Sequence, residues 1–228
     1  FKDTITGLAA GVRLTSNDML HKGDWITVKS VDANGIVEDM SLTTVKVRNF
    51  DNTIVTISPI TLVNGSFQNW IGMQKSGGRR VKRVVYFDFR SVRLVDETLK
   101  RNLLAKHFAT EDSFKLKESL QKAIDKDIQE GKDIEDLKNP AALAPTNLQL
   151  YRKFMEKYLR QRPEVNTDLT LMVRHMEATQ CGLPIEFYFF IKDKVWVNYE
   201  HILADIMEHA YALANEFGLK IYEQYPEQ

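Results

Sequence analysis

Between Asn198 and Phe217 the sequence sets His201, Asp205 and His209 four residues apart, and these residue types ligate transition metals. On a helix that spacing carries the three across about 11 Å, so one ion cannot hold them all and only neighbouring pairs could serve. A solvated or packed helix face is the preferred reading, and no metal or cofactor is expected. Asp125, Asp127 and Glu130 alternate with Lys122 and Lys126, as charges on a surface helix do. Cys181 is the single cysteine of the chain, which excludes an internal disulfide framework and fits a reducing compartment. With no base near it in sequence it is a poor candidate for a catalytic thiol. No Ser-His-Asp order, phosphate-cradling glycine loop or paired-carboxylate cleft stands out, so no catalytic residue is nominated and no enzyme is expected.

Two other groupings carry charge or stacking potential. From Lys75 to Arg93 the chain holds Lys75, Arg79, Arg80, Lys82, Arg83, Arg90 and Arg93 against Asp88 alone. Such a window could bind anions, face acidic lipid or set ion preference at a portal; the plainer alternative is a solvated strand face paired with acids from elsewhere. Across the chain 31 basic and 31 acidic residues cancel, so nothing drives it globally toward nucleic acid or acidic membrane. Trp25, Phe50, Phe67 and Trp70 could stack RNA bases, but binders of that kind add a basic groove beside the aromatics. Core and inter-subunit packing is the better use of them in a neutral chain.

The opening segment is chemically quiet and physically odd. Gly7 and Gly11 stand four apart with Ala10 beside them, so on a helix they share a face. Each glycine costs about 1 kcal/mol against alanine in a helix interior, and close approach of another backbone is the usual compensation. Ile5, Leu8, Val12 and Leu14 give the same helix an apolar surface with nothing local to cover it. The chain opens at Phe1 without methionine and reads as a piece of something longer, divided within that helix. No apolar run approaches the ~18 residues of a spanning helix.

The elements that position these residues follow from hydrophobic period. Lys2 to about Leu14 reads as helix, with Thr15 to Asp18 as its exit. From Trp25 to Trp70 the period falls to two: strands at Trp25–Val28, Ile36–Met40, Thr44–Arg48 and Thr53–Ile57, with turns at Asp32-Ala33-Asn34-Gly35 and Asn49-Phe50-Asp51-Asn52. Ser58-Pro59 stops the last of them. Short strands joined by tight turns predict a small, bent, Sm-like β-barrel. After Gly77-Gly78 the pattern changes: a strand over Val81–Phe89, a helix over Asp96–Phe108, and a charged helical stretch from Thr110 to Asn147 with Leu116, Leu120, Ile124 and Ile128 in one stripe. That stripe suits either packing on its own domain or a partner helix or lid. A helix over Leu148–Arg160 capped by Thr146 or Asn147, strands at Leu169–Glu177 and Ile185–Ile191, a helix over Asn198–Phe217 and a strand at Leu219–Tyr222 complete a ferredoxin-like α+β sandwich with a helical insertion.

This order resembles the small-conductance mechanosensitive channel (MscS-like) family, and within it the miniconductance branch. The likeness rests on Asp3-Thr4-Ile5-Thr6-Gly7-Leu8-Ala9-Ala10-Gly11-Val12, Asn17-Asp18-Met19, Gly23-Asp24-Trp25-Ile26, Leu42 through Thr53 and Ser66-Phe67-Gln68-Asn69-Trp70. It continues through Ser76 to Arg83, Tyr158-Leu159-Arg160, Gly182 to Glu186 and Glu216-Phe217-Gly218-Leu219, leaving out about 110–144. Residues 1–21 would then be the end of the pore-lining transmembrane helix, with Gly7, Ala10 and Gly11 packing it against its own copies. Residues 22–70 would be the Sm-like β domain, with Gly23, Asp24, Trp25, Asn49, Asp51, Asn69 and Trp70 as its motif. Residues 71–228 would be the α/β vestibule domain, with the insertion at about 110–146 and Arg79, Arg80, Lys82 and Arg83 as candidates for vestibule electrostatics.

The resemblance implies a homoheptameric channel in the cell inner membrane, multi-pass when whole, opened by bilayer tension to release ions and small solutes on hypo-osmotic shock. This part would face the cytoplasm, would support assembly, solute filtering and gating coupling, and would not itself conduct. Its partners would be its own copies, the bilayer through upstream helices, and the permeating solutes, with no nucleic acid. Without upstream neighbours the opening helix is expected to be frayed, displaced or packed on another molecule. The family's small closing barrel at the vestibule base is not expected from Glu223–Gln228 alone. The competing reading is a soluble Sm-like RNA- or ligand-binding module.

Overall fold

The computed structural model describes residues 2–115, 118–131 and 144–224. The chain divides into two compact units, Phe1–Ser76 and Gly77–Gln228.

The first unit opens with α1 (Lys2–Ser16), followed by β1 (Trp25–Val28), β2 (Ala33–Met40), β3 (Val45–Asn49), β4 (Ile54–Ile57), α2 (Pro59–Asn64), β5 (Gln68–Asn69) and α3 (Ile71–Lys75). The five strands form one antiparallel sheet in the order β4-β3-β2-β1-β5. Alternation in β1 to β3 turns Ile26, Val28, Val37, Val45 and Val47 to one face, where Leu14, Leu20 and Leu62 close the core. A register shift between Val37 and Asp39 bends β2. No ladder joins β4 to β5 among the described residues, so the barrel expected from strand spacing is present as this bent five-stranded sheet.

Two local readings need correction. Asn34-Gly35 is not the turn. The chain reverses through a 3-10 turn, Lys29–Val31, ending on Asp32 at φ 53°. Gly35 lies inside β2, where a Cβ would stand 1.9 Å from the Arg48 carbonyl oxygen of β3. The glycine serves close strand approach, which hairpin statistics cannot distinguish from a turn. Pro59 ends β4 as expected but also occupies the first turn of α2, a helix the period-two reading missed.

The second unit comprises β6 (Arg79–Phe87), α4 (Glu97–Ala105), α5 (Glu118–Gln129), α6 (Asn147–Gln161), β7 (Met172–His175), β8 (Leu183–Ile191) and α7 (Trp196–Glu216). Its sheet is antiparallel in the order β6-β8-β7. An antiparallel bridge from Phe87 to Ile221 adds the trace of a fourth strand outside β6. Last, first, third, second is the order of a split β-α-β sandwich. The expected strand Leu219–Tyr222 is reduced to that bridge, and Leu169–Glu177 shortens to Met172–His175. The odd-numbered residues of β8, Ile185 to Ile191, face a core shared with Tyr151, Met155 and Leu159 of α6 and Leu203 and Ile206 of α7.

Helix ends follow ordinary capping. Asp96 accepts from the Leu99 amide at 2.8 Å, and Thr146 accepts from the Gln149 amide at 3.0 Å. Of the stripe proposed on the insertion, Ile124 is buried and Ile128 exposed. Leu116 and the Leu120 side chain lie outside the described residues, as do Asn139-Pro140 and residues 225–228.

Candidate functional site

Of the residues nominated in the first unit, Gly23, Asp24 and Asn69 meet at the segment that follows α1. Asp24 is buried at the start of β1, and its carboxylate accepts from the His21 amide at 3.0 Å and from Asn69 Nδ2 at 2.8 Å. Asn69 Nδ2 also donates to the Met19 carbonyl at 3.3 Å, while its Oδ1 accepts from the Ile71 amide at 2.9 Å. Gly23 donates its amide to the Val37 carbonyl at 2.8 Å. One carboxylate thus ties the linker after α1 to β5 and to the start of α3. A buried carboxylate is tolerated because its lone pairs meet amide and carboxamide donors.

Beside this knot, Trp25 stacks on Trp70 with ring centroids 4.5 Å apart and planes 15° apart, and meets Phe50 edge-on at 5.4 Å. Trp25 Nε1 donates to Asn34 Oδ1 at 2.9 Å, and Trp70 Nε1 donates to Thr27 Oγ1 at 3.0 Å. Asn49 Oδ1 accepts from the Asn34 amide at 2.8 Å. Asp51 accepts from the Thr53 hydroxyl at 2.6 Å and the Thr53 amide at 2.9 Å, and these donors hold its carboxyl below the ordinary carboxylate value. The aromatics face each other and their ring donors are engaged. An RNA-stacking surface is therefore unsupported. Asn34, missed because Asn-Gly read as a turn, is the hub joining Trp25, Thr27 and Asn49.

Helix α1 is continuous over Lys2–Ser16, which corrects the expectation that it frays or is displaced. Its stripe of Ala10, Gly11 and Leu14 docks into its own unit, with Ala10 6% and Leu14 0% exposed. At Gly11 a Cβ would stand 2.2 Å from the Leu42 carbonyl oxygen, so this glycine admits the chain's own loop. Gly7 lies on the same stripe one turn earlier, and among the described residues nothing beyond its own turn of helix comes within 4 Å of a Cβ built there. The opposite face carries Ile5, Leu8 and Val12 at 66%, 45% and 49% exposure. The two glycines therefore differ. Leu42, the partner of Gly11, left no signal in the sequence beyond its place in a loop.

The basic residues of β6 do not form one patch. Strand alternation sends Arg79 and Arg83 to the helix side of the sheet and Arg80 and Lys82 to the other. The Arg79 guanidinium lies 4.3 Å over the Tyr199 ring, and Lys82 reaches Glu186 at 3.9 Å. Glu186, only 1% exposed, also accepts from Arg174 Nε at 2.7 Å. Arg90 pairs with Asp88, and Arg93 with Asp96. On α7, His209 Nδ1 is 2.7 Å from the Asp205 carbonyl oxygen and its ring stacks on Tyr158, and no cluster suited to a metal is found among the described residues. Cys181 is exposed in the turn before β8.

The comparisons with known proteins meet this geometry at its first unit. The family described as mechanosensitive ion channel, beta-domain matches residues 3–72, which is α1, the whole sheet and the Asp24–Asn69 knot. Residues 3–72 are thus similar to the β-domain of the MscS family of mechanosensitive ion channels. The small-conductance mechanosensitive channel MscMJ of Methanocaldococcus jannaschii is 32% identical over 68 residues, 30% of this chain and 19% of that protein. An MscS family protein of Aquifex aeolicus is 33% identical over 108 residues, 46% of this chain and 28% of that protein. The chain spans less than a third of the length of these curated relatives.

Solved structures carry the fold further than sequence does. Helicobacter pylori MscS in a closed state superposes with a TM-score of 0.59 at 14% identity, over 100% of this chain and 65% of that one. Arabidopsis thaliana MSL1 gives a TM-score of 0.61 at 10% identity, over 96% of this chain and 59% of that one. The N-terminal helix and both antiparallel sheets thus follow the architecture of MscS structures. The family is one of channels, not enzymes. The matched span includes α1 from Asp3 onward, so the docking of Gly11 and Leu14 lies within it. Among the described residues no helix is long and apolar enough to cross a membrane.

Proposed function

We propose that this chain forms the cytoplasmic vestibule side of a tension-gated channel of the miniconductance branch, releasing ions and small solutes on hypo-osmotic shock. In this reading residues 1–21 end the pore-lining helix, 22–70 form the Sm-like ring and 71–228 the vestibule wall, in a homoheptamer of the inner membrane. The part described would support assembly, filtering and gating coupling without conducting by itself.

The observation that carries the reading is the two-sided helix α1. One stripe is clamped to the β unit through Gly11, Ala10 and Leu14; the opposite face leaves Ile5, Leu8 and Val12 exposed. A helix so clamped transmits its tilt to the sheet below, and its uncovered apolar face suits lipid or neighbouring helices. Ile36 and Ile54, each beside Arg48 across the ladder, add exposed apolar surface to the same unit.

Patch clamp of the full-length protein in membrane tests it. Stepwise suction should open discrete conductances, and Gly7→Leu should shift the tension at which they open. Expression without any tension-dependent current would sink the reading.

A further inference from the structure

A cavity of about 140 Å³ opens in the second unit between α6 and the loop that follows α4. Its polar lining consists of His107, Thr110, Ser113, Lys153 and Lys157, and Phe154 supplies an apolar wall. Among the described residues no acidic residue lines it. Lys153 and Lys157 stand four apart on α6, so their side chains leave the same helix face toward one mouth. Both are exposed, and among the described residues neither makes an ion pair.

The hydroxyls are prearranged. The Thr110 amide donates to Ser113 Oγ at 3.0 Å, and the two hydroxyl oxygens are 3.2 Å apart. The Ser113 amide in turn donates to the Thr110 carbonyl at 2.9 Å. The Ser113 hydroxyl oxygen already accepts an amide, and the pair can spend only one hydroxyl proton on each other. The other proton is left to donate. Two ammonium groups, a free hydroxyl proton and an imidazole around one small cavity, with no carboxylate among the described residues, offer donors and positive charge in a chain whose net charge is zero.

We propose that this cavity binds a phosphate group, either free inorganic phosphate or the phosphomonoester end of a larger molecule. The two lysines supply the charge, the Thr110–Ser113 pair orients one phosphate oxygen, and Phe154 flanks the carbon side of an ester. The inference does not rest on the channel reading.

The test is a titration of the 228-residue chain with inorganic phosphate, followed by amide NMR shifts and by calorimetry. Saturable shifts at Thr110, Ser113 and Lys153 are expected, and Lys153→Gln with Lys157→Gln should weaken binding about tenfold or more. Lys29→Gln, at an exposed site in the first unit, should change nothing. A parallel arm uses vesicles of equal parts phosphatidylcholine and phosphatidic acid. Sedimentation with them that is lost in the double variant assigns a lipid phosphate; phosphate binding without sedimentation assigns a soluble one. Circular dichroism of the double variant confirms the fold, and since both lysines are exposed no loss is expected. Shifts scattered over the surface, an equal response to chloride, or an unchanged affinity in the folded double variant would overturn the proposal.

Discussion

Gly11 and Gly7 differ by what a single methyl group would meet. At Gly11 a Cβ would collide with the Leu42 carbonyl, a backbone atom that cannot swing aside. Gly11→Ala should therefore destabilise the first unit by about 1–3 kcal/mol despite alanine's better helix propensity. Gly7→Ala meets open space and should stabilise the same helix by about 0.5–1 kcal/mol. Urea unfolding of the two variants reads both, and equal signs would refute the distinction. Acid titration probes the turn carboxylates. Asp51, Asp88, Asp96 and Asp112 all lie below the ordinary value of 3.8, chiefly through donors from Thr53, Arg90, the Leu99 amide and Lys115 respectively. A carboxyl with a depressed folded pKa stabilises above its unfolded value, and that contribution disappears as pH falls through the folded one. The urea midpoint should thus drop as pH falls from 3.8 downward, and less steeply in Asp51→Asn, whose turn no longer titrates.

At the scale of elements, Asn147 begins α6 but does not cap it. Thr146 performs that task, and Asn147, fully buried, joins two other segments. Its Nδ2 donates to the Ser91 carbonyl at 2.9 Å and the Phe217 carbonyl at 3.0 Å, and its Oδ1 accepts from the Arg93 amide at 3.0 Å. Asn147→Ala should cost about 2–4 kcal/mol because several buried backbone groups lose their partner together. Tyr151→Phe removes one hydrogen bond, to the Ala210 carbonyl at 2.6 Å, and should cost about 1 kcal/mol. Thermal unfolding followed in the second unit distinguishes them, and equal losses would refute the bridging role. Elements with a sustained pattern were legible in sequence: α1, α6, α7, β6 and β8 all stand within a few residues of where their patterns put them. Elements defined by a partner were not. The place of Gly35 depends on Arg48, the bridge at Ile221 on Phe87, and Asn34 as a hub on Trp25 and Asn49. The motif residues Asp24 and Asn69 were nominated by resemblance, but their mutual bond, across 45 residues, left no mark in local spacing.

For the whole molecule, the uncovered face of α1 sets an expectation about assembly. Light scattering of the chain should give a ring-sized species, and Leu8→Ser with Val12→Ser should shift it toward the monomer. A monomeric parent chain would remove the support for self-packing through that face. Glu186 has a further consequence. Strand β7 pairs with β8 over only Met172 to His175, and hydrophobic alternation cannot tell a correct alignment from one displaced by two residues. Arg174 can, since it stands directly opposite Glu186 only in the observed alignment. A two-residue slip would leave a sealed carboxylate with Lys82 alone, at 3.9 Å. The buried charge thus works as an address, telling the shortest strand of the sheet where along its neighbour to stop.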